Sequence, residues 1–133
     1  MRYVTLAGRV LFSLIFLMTL ASHFTAGAIG YATHKGVPMA GVLVPLSGVI
    51  AAVGGLSVLF GYQAKLGAWL LVVFLVPVTF MMHAFWTVQD PMMYQFEIAN
   101  FMKNISLLGA ALLISQFGSG PVSLDSRRGA SGA

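Results

Sequence analysis

Few side chains in this sequence are capable of chemistry, and they gather in one stretch, His83 to Asn104 (HAFWTVQDPMMYQFEIANFMKN), between two strongly apolar runs. The stretch holds one of the three histidines, one of the two tryptophans and two of the three acids. His83, Trp86, Asp90, Glu97, Lys103 and Asn104 form the candidate ligand or proton-relay cluster. An imidazole beside the aromatic pair Phe85 and Trp86 offers a hydrogen-bonding group against a flat apolar wall. That is what a quinone requires, with Asp90 or Glu97 as the proton relay. Glu97, Asn100, Lys103 and Asn104 recur at helical spacings of three and four and share one face. At ~1.5 Å per residue, Lys103 lies ~9 Å along that helix from Glu97. A lysine at that depth either snorkels outward along its own stem or turns inward to meet His83, Asp90 or Glu97.

Other chemistries are excluded more readily. The chain has no cysteine, so it has no thiol–disulfide chemistry, cysteine-ligated zinc or iron–sulfur cluster of its own. No metal site is expected. His23 and His83 are the only pair that could bracket a haem, and nothing else supports one. No Gly-x-Ser-x-Gly or His-Glu-x-x-His motif is present. The basic residues are too few and scattered for nucleic acid, although the net charge is +4.

The elements that hold these residues must lie in a bilayer. The chain is 59% hydrophobic and 8% charged, against about 25% charged in a soluble domain. The intervals Arg9–Lys35, Lys35–Lys65, Lys65–Asp90 and Lys103–Asp125 each enclose at least ~20 uncharged residues, enough to span a membrane as a helix. The expected architecture is all-α, an integral membrane four-helix bundle over residues 1–117 with helices at about 6–28, 39–61, 66–87 and 97–117. A polar tail, 118–133, follows. Ala26-Gly27-Ala28 behind Arg2 and Arg9 has the outline of a signal-peptide cleavage site. The apolar run is long for that role and three more spans follow, so a first transmembrane helix is expected instead. Arg2, Arg9, Lys65, Arg127 and Arg128 fall on one side and only Lys35 and Lys103 on the other, which predicts that both termini are cytoplasmic.

Local signals refine this frame. Arg9, near the start of helix 1, either anchors at the interface or forms a structural ion pair with Asp125, the only acid on its side. Pro77 interrupts helix 3 and frees the carbonyl of Val73. Thr79, His83 and Thr87 then form one polar stripe. Asp90-Pro91 reads as a cap and first turn for helix 4. Ser47, Ala51 and Gly55, with Gly48 and Ala52 beside them, allow close backbone packing, either within the bundle or at a homo-oligomer face. Residues 29–38 (IGYATHKGVP) read as an outer loop or short interfacial turn, with His34 facing solvent.

The segments H-A-F-W at 83–86, N-F-M-K-N-I-S-L-L-G at 100–109 and G-S-G-P-V-S-L-D at 118–125 give the chain a resemblance to the DoxX family of small bacterial membrane proteins. Gly8-Arg9, Gly36-Val37-Pro38 and Gly54-Gly55 with Gly61 add to it. The resemblance implies a multi-pass protein of the bacterial inner membrane, a non-catalytic subunit or scaffold of a redox or oxidative-stress complex with redox-enzyme partner subunits. A quinone-binding oxidoreductase component and a small-solute transporter are the alternatives. No cofactor is expected to bind firmly, and a quinone is the one the cluster would suit. The chain departs from that family in two places. It lacks a lysine late in helix 1, where it reads Leu20-Ala21-Ser22-His23-Phe24, and a glutamate in helix 2, where it reads Ile50-Ala51-Ala52-Val53.

Overall fold

The computed structural model describes residues 1–131. Among the described residues six α-helices are formed: α1 (Arg2–Met18), α2 (Ala26–His34), α3 (Ala40–Phe60), α4 (Ala64–Met82), α5 (Pro91–Phe117) and α6 (Leu124–Ser131). Four segments are long and apolar enough to cross a membrane: Arg2–Phe24, Ala40–Phe60, Ala64–Thr87 and Pro91–Phe117. The spans pack chiefly in chain order, α1 on α3, α3 on α4 and α4 on α5.

The first apolar run is divided. α1 stops at Met18, a 3₁₀ turn covers Ala21–Phe24, and α2 follows after extended backbone at Thr25. The hydroxyls of Thr19, Ser22 and Thr25 donate to the carbonyls of Ile15, Thr19 and Ser22. These bonds give the backbone an alternative to continued helix. Thr25 then caps α2, its side chain accepting from the amide of Ala28 at 3.2 Å. The segment read as an outer loop is therefore mostly α2, and His34 on it is exposed as expected.

α4 ends at Met82, and a 3₁₀ turn, Phe85–Thr87, links it to α5. Thr79 is buried, His83 caps the helix and Thr87 is exposed beyond its end, so the expected stripe closes at His83. Asp90 accepts from the amides of Met92 and Met93 at 2.9 and 3.0 Å with Pro91 in the first turn, the cap that Asp90-Pro91 predicts. α5 consequently runs unbroken from Pro91 to Phe117, the early start that the cap predicts, with the stretch 97–117 as its continuation.

Small residues bring the spans together. A Cβ on Gly54 of α3 would stand 2.9 Å from the carbonyl oxygen of Gly67 on α4, and one on Gly55 3.1 Å from Phe16 of α1. Gly48 is covered by His23 in the same way. The small-residue face of α3 is thus occupied within the chain. Phe16, Ala51, Val58, Ala68, Leu71, Leu75 and Ala111 form the buried core that these approaches create.

The tail closes the opposite end of the bundle from Glu97. Arg9 is almost fully buried and donates from Nη1 to the carbonyl of Ser119 at 3.0 Å and from Nη2 to that of Val122 at 2.7 Å. Asp125 accepts from the amides of Gln63 and Ala64 at 2.7 and 3.0 Å, capping α4 from outside its own sequence. Among the described residues no direct Arg9–Asp125 salt bridge of the kind the sequence suggests is present; each of the two binds backbone groups instead. The carbonyls left free after α5 ends at Gly118 and the amides exposed before α4 are the stronger local partners.

Candidate functional site

The site is built around a carboxylate. Glu97, in the second turn of α5, has no exposed surface. Tyr31 Oη donates to its Oε1 at 2.5 Å, His83 Nδ1 stands 2.8 Å from Oε2, and Lys35 Nζ lies 3.9 Å from Oε1. Lys35 also sits over the Tyr31 ring, 5.4 Å from its centroid. α2 supplies Tyr31, with Lys35 at its C-cap. The end of α4 supplies His83, and α5 supplies Glu97. A buried carboxylate requires such partners on both oxygens, since burial without them is costly. Burial first, then the bond to Glu97 and its charge, pushes the Tyr31 hydroxyl up to about 12, so it remains a donor at neutral pH.

Of the residues singled out in the sequence, His83 and Glu97 are brought into contact. Asp90 is occupied as the α5 cap. Trp86 packs with Phe85, Phe80 and Phe101 at centroid distances of 5.2, 6.5 and 5.9 Å rather than against the imidazole. Lys103 is exposed and donates to Asn100 Oδ1 at 3.1 Å, one turn back toward the start of α5, the direction a snorkelling lysine takes. Asn104 is buried on α5 two turns beyond Glu97. Tyr31 and Lys35 were not among the sequence candidates. Their i, i+4 spacing was the available signal, obscured because Gly30, Gly36 and Pro38 punctuate the segment as a loop.

Beside this cluster an apolar groove of about 390 Å³ opens between the 21–24 turn, α2, α3 and α4. It exists because α1 stops at Met18 and leaves the halves of α3 and α4 nearest the Glu97 cluster uncovered on one side. Ile50, Phe74, Pro77 and Met81 form its walls, and Tyr31 and His83 stand in its lining. Its size falls within the range of small-molecule sites, ~300–1,000 Å³, and so does its character of apolar wall with a few polar groups. Among the described residues no group of three or more His, Cys, Asp or Glu side chains could hold a metal ion.

Four long apolar helices with one buried carboxylate cluster define a multi-pass α-helical membrane protein. The sequence model of the SURF4 family matches residues 1–130, and the chain belongs to that family. It is 30% identical over 127 residues to the Surfeit locus protein 4 homolog of Schizosaccharomyces pombe, an alignment covering 95% of this chain and 38% of that protein. The chain thus spans about two-fifths of the length of that curated relative. No solved structure matches it.

These findings correct the family reading. The resemblance to DoxX is overturned by the match to the SURF4 family, which is a different family, and the role of redox-complex subunit falls with it. The quinone-component and transporter alternatives gain no support. Nor does a bacterial inner membrane, since the relative is from a eukaryote. The segments that carried the resemblance are short. The structure shows what they do: cap α5, pack aromatics at its start and fasten the tail.

Proposed function

We propose that this SURF4-family protein is a membrane-embedded binding protein whose groove takes the apolar body of an amphipathic molecule, with the molecule's polar end beside the Glu97 cluster. One observation carries this reading. Tyr31 and His83 both line the groove and hydrogen-bond Glu97. The apolar space and the polar cluster are therefore one continuous site. Several of its wall residues, Leu43, Leu46 and Val73 among them, are exposed on the span surface, so a lipid-like ligand enters from the side. The test is saturable photolabelling of the purified chain with an acyl-chain diazirine amphiphile. Adducts are expected on Phe74 and Met81, lost in Ile50→Trp, which fills the groove. Adducts confined to lipid-facing positions and unchanged in that variant would refute the reading.

The same proposal orients the protein with both termini cytoplasmic. Arg2, Lys65, Arg127 and Arg128 favour that side over the one bearing Lys35 and Lys103. The chain has no cysteine, so single cysteines report without background. Ser126→Cys is expected to react with an impermeant maleimide only after the membrane is opened from the cytoplasmic side, and His34→Cys only from the other. The reverse pattern would overturn the orientation.

A further inference from the structure

The polar groups in the groove share a property that narrows its ligand. Ser22 Oγ donates to the Thr19 carbonyl at 2.6 Å, and Ser47 Oγ to the Val44 carbonyl at 2.7 Å. Tyr31 Oη donates to Glu97. His23 Nδ1 lies 2.8 Å from the Thr19 carbonyl and His83 Nδ1 2.8 Å from Glu97, both oxygen acceptors. An imidazole nitrogen facing an oxygen acceptor carries the hydrogen, and in the neutral ring that leaves a lone pair on Nε2. With both imidazoles neutral, each of the five polar side chains lining the groove has a hydrogen directed to a protein oxygen and presents a lone pair. Backbone chemistry adds one more acceptor. Pro77 has no N–H to return to the carbonyl of Val73, and both residues line the groove.

A lining of acceptors in an apolar wall selects by what it cannot do. In that state the lining side chains offer no hydrogen to a carboxylate or phosphate, and the one cation beside them, Lys35, is outside the lining and set against Glu97, so an anionic head placed there would lose water and gain little. The nearby formal charges, Glu97 and Lys35, are already opposed at 3.9 Å, so no net field draws a cation in. What remains is a neutral head that donates. We infer that the groove is specific for hydroxyl-headed lipids, molecules with a sterol- or diacylglycerol-like alcohol at one end of an apolar body. This rests on the groove being a lipid site at all, and it adds the class of head group to that reading.

The experiment compares three diazirine photoprobes on the full chain in phosphatidylcholine nanodiscs: a sterol, a diacylglycerol and a fatty acid, with adducts mapped by mass spectrometry. Saturable labelling at Phe74 and Met81 by a hydroxyl-headed probe is expected to exceed that by the fatty acid at least about tenfold, the ratio set by one or two hydrogen bonds gained or missed. The sterol and diacylglycerol arms identify which alcohol is preferred, and preference for either supports the inference. Equal or stronger labelling by the fatty acid would overturn the head-group assignment and leave the lipid groove standing. Absence of groove labelling by all three would overturn both. A milder variant, Ser47→Ala, removes one acceptor without adding bulk and is expected to lower hydroxyl-probe labelling severalfold while fatty-acid labelling stays constant. Equal loss for both probes would again count against acceptor-based selection.

Discussion

Replacing Glu97 with glutamine keeps the shape of the side chain and removes its charge, which isolates what the carboxylate does. In the native protein both oxygens accept, from Tyr31 at 2.5 Å and His83 at 2.8 Å. An amide has one oxygen and one NH₂, so at most one of these donors keeps its acceptor unless the other reverses its role. Hydrogen bonds to charged groups contribute about 1.5–3 kcal/mol and neutral ones about 0.5–1.5. Two such bonds weakened therefore cost roughly 2–3 kcal/mol, offset in part because a neutral amide is easier to bury. A net loss of roughly 1–3 kcal/mol is expected, and about 3 °C in Tm for each kcal/mol in a chain of this size. Thermal unfolding in mild detergent, followed by circular dichroism, measures it. A double-mutant cycle with Tyr31→Phe should give a coupling of about 1–2 kcal/mol. If Glu97→Gln unfolded at the native temperature and showed no coupling to Tyr31, the cluster would not be what fastens α2 to α5, and the site described here would lose its frame.

Two further predictions concern other parts of the fold. Burial opposes ionisation of Asp125, but the amides of Ala64 and Gln63, then Ser119 and Arg128, outweigh it and hold the carboxyl below its ordinary value. A lowered carboxylate contributes stability above its unfolded pKa, about 3.9, and loses it as pH falls through the folded value. Protease cleavage within residues 120–128 should therefore appear only below about pH 4 in the native chain and at neutral pH in Asp125→Asn, whereas native cleavage that did not depend on acid would contradict the tether. Gly54→Ala places a Cβ 2.9 Å from the Gly67 carbonyl, and overpacking of this kind costs about 1–3 kcal/mol. An unchanged unfolding temperature would show that α3 and α4 are not held at this distance.

How much of this was legible in the sequence depends on whether the signal was local. The spans were, because uncharged runs of that length have few other uses, and so was the α5 cap, because Asp90 and Pro91 are adjacent. The end of α1 was not. Thr19, Ser22 and Thr25 can bond backward within a continuing helix as readily as break one, and only the position of α2 decides between them. Glu97 and His83 were identifiable as unusual residues in an apolar setting, and the structure joins them. Their other partners, Tyr31 and Lys35, lie 66 positions from Glu97 in the first case and in a segment that glycine and proline disguise. The family was misread because short stretches of small and apolar residues recur in many membrane helices for reasons of packing alone.

The fastening of Arg9 also sets a schedule. Its acceptors, the carbonyls of Ser119 and Val122, lie 110 and 113 residues further along the chain. At about 5–20 residues per second, a ribosome takes roughly 5–20 s to make that interval. Throughout it the guanidinium must keep to water or lipid phosphate, holding α1 nearer the surface than its final depth. α1 thus settles only after the bundle that follows it has been made, and until Val122 is in place its arginine stands without these acceptors at the membrane, a mark by which a partly assembled bundle differs from an assembled one.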